Sequence, residues 1–174
     1  MSAAFSEENR VRVVVTGHDA DGRSVVVDEK SVPPSPVAAA GTIFHVLWGA
    51  DVLPRYPDDG REQTDLVGFP RPGGIRFAES VVLPDAEVDY GAETVEGIHA
   101  SNDDLPGMHT TPSVDLGVVI EGDVWMLLSG GVEVHLRPGD CFVQNGTVHG
   151  WRNHTDKPSR FVVMLVGTEH ASLG

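Results

Sequence analysis

Cysteine is almost missing from this chain: Cys141 stands alone among 174 residues. No intrachain disulfide can form and no cysteine-built zinc site is possible. Any bound metal would have to be held by His, Asp, Glu or Gln. Basic residues are also scarce. Twelve Lys and Arg face 26 Asp and Glu, a net charge of -14, and such a field opposes binding to nucleic acid or to an anionic membrane surface. No apolar run approaches about 18 residues, so no bilayer span is expected. The start, MSAAFSEENR, has acids where a leader would have bases and a following apolar stretch, and a cytoplasmic location is expected by default. Long amphipathic helical patterns, internal repeats and low-complexity tracts are absent too, which argues against a doubly wound α/β sheet and a helix-turn-helix module.

What is present suits one globular domain. A chain of this length buries roughly two thirds of its unfolded surface and needs no staple to fold. Short β-prone runs alternate with Gly, Pro, Asn and Asp. Residues 11–16 (VRVVVT) and 25–27 flank Asp19-Ala20-Asp21-Gly22 and read as a hairpin. Residues 31–36 read as a linker, 42–48 (TIFHVLW) as a strand, 51–74 as a long surface loop and 75–83 as a strand. The acidic stretch 85–104 fits a short helix or an ordered loop. Further strands are expected over 117–121, 123–128, 132–136, 141–144, 148–152 and 160–166. Strands recurring every ~8–12 residues indicate an all-β sandwich or barrel. The expected division is N-terminal strands and loops over 1–74, a barrel over 75–168 and a tail over 169–174.

Eight histidines are the chemical resource. His18, His45, His99, His154 and His170 sit in no pattern, and His135 falls on the outward parity of VEVHL. His109 and His149 differ. In 108–122 (MHTTPSVDLGVVIEG), alternation along one strand puts His109, Thr111 and Asp115 on one face, provided Pro112 does not break it. In 138–153 (PGDCFVQNGTVHGWRN), His149 and Trp151 share a face, with Asn153 at its end. If the two faces meet, two imidazoles and a carboxylate converge, the ligand set of many iron oxygenase sites.

The region 107–167 resembles the cupin superfamily. Its first motif runs His-x-His, three or four residues, Glu, six residues, Gly; here His109, Asp115 and Gly122 take those positions, with Thr111 in place of the second His. Its second motif is matched by Gly139, His149 and Asn153, in the variant Val-Gln-x-Gly-Thr-x-His-x-Trp, with Asn145 where Pro is usual and a turn one residue short. The Gly expected five residues before His109 is absent, and Gly107 lies closer.

The resemblance implies an all-β cupin barrel, a double-stranded β-helix or jelly roll, with extra N-terminal strands. It implies a small organic ligand or substrate inside the barrel and a homodimer, the start GHD at 17–19 being similar to that of other single-cupin proteins. His109, Asp115 and His149 would be the metal ligands and the catalytic groups, for a divalent ion (Fe, Mn, Ni or Zn) or none. Thr111, Gln144 and Trp151 would line the substrate pocket. The leading expectation is a metal-dependent enzyme, an oxygenase or an isomerase, cyclase or lyase. A metal-free binding module, favoured by Thr111, is the alternative, as is metal-free acid–base catalysis with His149 as proton shuttle oriented by Asp115. Asp115 could instead pair with Arg152 or Arg160. Trp125 and Trp151 are candidate core aromatics, and Cys141 is expected as a small buried apolar residue.

Overall fold

The computed structural model describes residues 10–35, 41–61, 68–90, 99–100 (backbone only) and 105–169. Twelve strands are present there: β1 (Val11–His18), β2 (Ser24–Val32), β3 (Thr42–Ala50), β4 (Ile75–Val82), β5 (His99–Ala100), β6 (His109–Thr110), β7 (Ser113–Glu121), β8 (Val124–Leu128), β9 (Val132–Leu136), β10 (Cys141–Asn145), β11 (His149–Arg152) and β12 (Ser159–Gly167). All pair antiparallel. One five-stranded sheet has the order β10-β7-β12-β4-β3 and a second the order β5-β6-β11-β8-β9. β1 and β2 form a separate two-stranded sheet. The all-β double-stranded β-helix expected from the sequence is what forms.

Period-two alternation builds the core. Phe161, Val163 and Leu165 of β12 point inward while Met164 is exposed. They meet Ala78 and Val82 of β4, Val119 of β7, Val124 and Met126 of β8, and Trp151 of β11 in one cluster. Turn chemistry sets the connections. At the β1–β2 hairpin, Asp19 Oδ1 accepts the backbone N–H groups of Asp21 and Arg23, each at 2.9 Å, and Gly22 takes the left-handed φ of +77° that closes the turn.

Pro112 decides where the chain changes sheets. Proline has no N–H for a ladder, so β6 stops at Thr110 and β7 restarts at Ser113 in the opposite sheet. His109 and Asp115 therefore do not share a strand face as the alternation suggested; they sit on different sheets. The described parts of 51–74 hold only turns and bends, and 85–90 contains a single 3-10 turn, Asp85–Glu87. Residues 91–98, 101–104 and 170 onward, and the side chain of His99, lie outside the described residues. Among the described residues no helix is long and apolar enough to cross a membrane.

Two core assignments are corrected. Cys141 is exposed, because β10 turns Phe142 and Gln144 inward and Cys141 and Val143 outward. Trp125 lies on the outer face of the second sheet, since its neighbours Val124 and Met126 occupy the inner one. Its ring stacks nearly parallel on His135, centroids 4.3 Å apart, and lies tilted against His154, centroids 4.6 Å apart.

Candidate active site

His109 opens β6 and His149 opens β11, and the two are direct partners in the ladder. Their rings lie 4.4 Å apart, centroid to centroid. Each imidazole turns its Nδ1 back to a carbonyl two residues upstream: His109 to Gly107 at 3.1 Å, His149 to Thr147 at 3.0 Å. A carbonyl can only accept, so both Nδ1 atoms carry hydrogen and both Nε2 atoms offer a lone pair. The two histidines line one cavity with Thr111, Asp115 and the aromatic walls Phe142 and Trp151, near Phe44 and Phe161. The cavity measures about 60 Å³, room for only a few water molecules. A ligand must therefore be small or reach in from the mouth.

The surroundings shift every titratable group in this cavity. Burial, and then the neighbouring imidazole, push His149 down to about 3; burial also lowers His109. Both are neutral at ordinary pH. Burial raises the Asp115 carboxyl to about 6, opposed by the Ser113 hydroxyl that donates to it at 2.6 Å. Ser113 Oγ also lies 3.0 Å from Thr111 Oγ1, linking the hydroxyl that replaces the second motif His to the carboxylate.

Trp151 is both core and pocket wall, packed against Phe142 at 5.1 Å and Phe161 at 4.5 Å. Gln144 faces inward and is buried, yet it stands outside the pocket wall. Its Oε1 accepts from the Thr147 backbone N–H at 3.1 Å and hydroxyl at 2.7 Å, which braces the turn whose carbonyl holds His149. Asp115 does not pair with an arginine. Arg160 is committed to Glu79 and Glu121, and Arg152 to the carbonyls of Trp151 and Pro106. His149 Nδ1 is held by the Thr147 carbonyl and not by Asp115. Sequence reading missed Ser113, whose proximity to Asp115 at i+2 was the available signal. It also missed Thr42, Phe44 and Ser80, which β3 and β4 bring to the pocket from far away in sequence.

The residues fit a metal in part. Histidine ligands characteristically donate their other ring N–H to a carbonyl or carboxylate, and His109 and His149 both do so with Nε2 left for coordination. A third ligand does not join them: among the described residues no group of three or more His, Cys, Asp or Glu side chains is placed to hold a metal ion.

Residues 100–165 match the cupin domain family. A protein of the phomopsin biosynthesis cluster of Diaporthe leptostromiformis, protein C', is 32% identical over 148 residues, covering 81% of this chain and 69% of that protein. The cupin-domain-containing oxidoreductase srdB of Neurospora crassa is 29% identical over 154 residues, covering 87% and 71%. The solved structure of an uncharacterized conserved protein with a double-stranded β-helix domain from Klebsiella pneumoniae aligns with a TM-score of 0.40 and 20% identity, over 58% of this chain and 74% of that one. With the second-motif histidine opening β11 inside a barrel of two five-stranded sheets, this chain belongs to the cupin superfamily.

Proposed function

We propose that the pocket binds a small organic molecule and shifts a proton within it, with Asp115 as the group that takes a proton from one atom and gives one to another. The observation that carries this is the placement of a carboxyl with a value near 6 in the same cavity as two imidazoles held neutral, each with Nε2 as an acceptor. A proton-transfer group works best when its pKa lies near the operating pH. His149, pushed down to about 3, is poorly suited to carry a proton. The imidazoles instead accept hydrogen bonds from a substrate hydroxyl or N–H and orient it. Asp115 as carboxylate breaks an acidic C–H bond and becomes the neutral acid, whose O–H exchanges with solvent, and it then delivers a proton to the neighbouring carbon while the substrate's hydroxyl proton passes to the former carbonyl oxygen. The net change is an isomerisation by proton shift. Small α-hydroxycarbonyl compounds offer both the hydroxyl donor and the acidic C–H.

Incubation of the protein in heavy water with a panel of small α-hydroxyketones, followed by NMR, tests this. Deuterium should enter the carbon next to the carbonyl, and Asp115→Asn should abolish the exchange. Absence of exchange across the panel, or exchange that survives Asp115→Asn, overturns the assignment.

One observation favours a second reading. The locked Nδ1–H forms of His109 and His149 also suit a pair of metal ligands, and three relatives bear oxidoreductase in their names. A divalent metal held there would supply a Lewis-acid or redox centre. Metal analysis of protein purified without an affinity tag, beside His149→Ala, separates the readings: stoichiometric metal lost in the variant supports the second, and metal content that His149→Ala leaves unchanged refutes it.

A further inference from the structure

We propose that Arg152 is a positioning residue for His109: its guanidinium clamps the 105–107 turn and so keeps the Gly107 carbonyl against His109 Nδ1. The inference rests on the reading that the His109 imidazole works in the pocket.

The clamp is built from three sides. Arg152 Nη2 donates to the Pro106 carbonyl at 2.5 Å, and Nη1 to the Trp151 carbonyl at 2.9 Å, which ties the turn to β11. The guanidinium carbon lies 4.0 Å from the centre of the Tyr90 ring, in cation–π geometry. Tyr90 is itself anchored, its hydroxyl donating to Asp85 Oδ1, which also accepts the Asn153 backbone N–H at 2.9 Å. Gly107 fits beneath this stack. Its φ of +81° is the left-handed region, and a Cβ there would fall 3.0 Å from Tyr90 Cδ1 and 3.5 Å from Arg152 Nη1. On the other side, a Cβ at Gly150 would fall 3.2 Å from the Gly107 carbonyl oxygen. The carbonyl that accepts from His109 is therefore enclosed between β11 and the Arg152–Tyr90 pair, and two glycines make the approach possible.

Arg152 points away from the cavity and is not among its lining residues. Its influence runs through one hydrogen bond. If the Gly107 carbonyl turns away, His109 loses the acceptor that fixes its tautomer, and the proton is free to sit on Nε2, where the pocket needs a lone pair. His149 provides an internal control, because its carbonyl belongs to Thr147 and is braced by Gln144 from β10.

Nitrogen-15 NMR of the full chain labelled at histidine reads the tautomers directly. In the unsubstituted protein both His109 and His149 should report Nδ1–H. Arg152→Met should raise the Nε2–H form of His109 to at least about a third and leave His149 unchanged, and Arg152→Lys, which can still donate to the Pro106 carbonyl, should restore much of the original signal. Tyr90→Leu should act in the same direction more weakly, and it decides the matter if Arg152→Met does not fold. A His109 that stays Nδ1–H in a folded Arg152→Met or Tyr90→Leu protein overturns the proposal, as does an equal change at His149. The readout needs no substrate, so loss of the exchange assignment for Asp115 would leave it standing, and its own failure would leave that assignment untouched.

Discussion

The rings of His109 and His149 stand 4.4 Å apart on residues paired one to one across adjacent strands. A proton on one raises the cost of a proton on the other, and burial opposes both. For His149 the folded value of about 3 lies below its ordinary 6.5, so the unfolded chain binds the proton first as pH falls. Stability is therefore lost as pH drops from about 6.5 towards 3. His149→Gln removes this titration. Near pH 4.5 the acid-induced loss of unfolding free energy should shrink by up to about 2–3 kcal/mol. Chemical denaturation across a pH series measures it, and parallel pH slopes for the two proteins would contradict the assignment.

Asp115 behaves with the opposite sign. Its carboxyl titrates near 6 when folded against an ordinary 3.8, so the folded state holds its proton longer and stability falls as pH rises through that window. Asp115→Asn cannot ionise, and its Oδ1 can still accept from Ser113. Its stability relative to the original protein should improve by about 1 kcal/mol between about pH 5 and pH 7.5. A difference that does not vary with pH would mean that the carboxyl titrates as if exposed.

Gly117 lies directly opposite Phe142 in the ladder, and a Cβ at Gly117 would fall 2.1 Å from the Phe142 ring. The ring covers the glycine and forms one wall of the pocket. Gly117→Ala must displace it, at a cost of about 1–3 kcal/mol. The double substitution Gly117→Ala with Phe142→Leu should recover part of that loss, which thermal unfolding of the two variants resolves.

Asn153 is fully buried and acts as a four-way tie. Its amide nitrogen donates to the carbonyls of Val82 and Lys157, and its oxygen accepts from the N–H and hydroxyl of Thr155. Asn153→Ala should cost about 2–4 kcal/mol. Asn153→Asp should be worse at neutral pH, where a carboxylate would face two carbonyl oxygens, and should recover on acidification, when the protonated acid regains one donor. A deficit that grows at low pH would refute this role.

The strand layout was legible because period-two alternation and turn residues are local signals. β12 and the Asp19–Gly22 hairpin turn follow from them directly. The histidine pair was legible from motif spacing. What alternation could not show is the sheet on which a strand sits. His109 and Asp115 look like one face of one strand, but Pro112 sends the chain across the barrel between them. Cys141 shows the reverse error: its parity against Phe142 points outward, and its apolar character outweighed that parity in the reading. The role of Arg152 had no signal, since its partners Tyr90 and Pro106 are distant in sequence and its contacts are to a ring face and to carbonyls.

β12 has one more consequence. It is the central strand of its sheet, joining β7 and β10 on one side to β4 and β3 on the other, yet it follows all four in the chain. Asp115 stands on one half, and Thr42 and Ser80 on the other. As the polypeptide is synthesised, the two halves can form as separate antiparallel pairs, but no strand of their own sheet joins them until residues 159–167 have emerged. Such non-local closure belongs to the slow class of folding reactions, on the order of milliseconds to seconds. The pocket is thus among the last things this chain acquires, completed by a strand that contributes apolar wall and none of the polar groups.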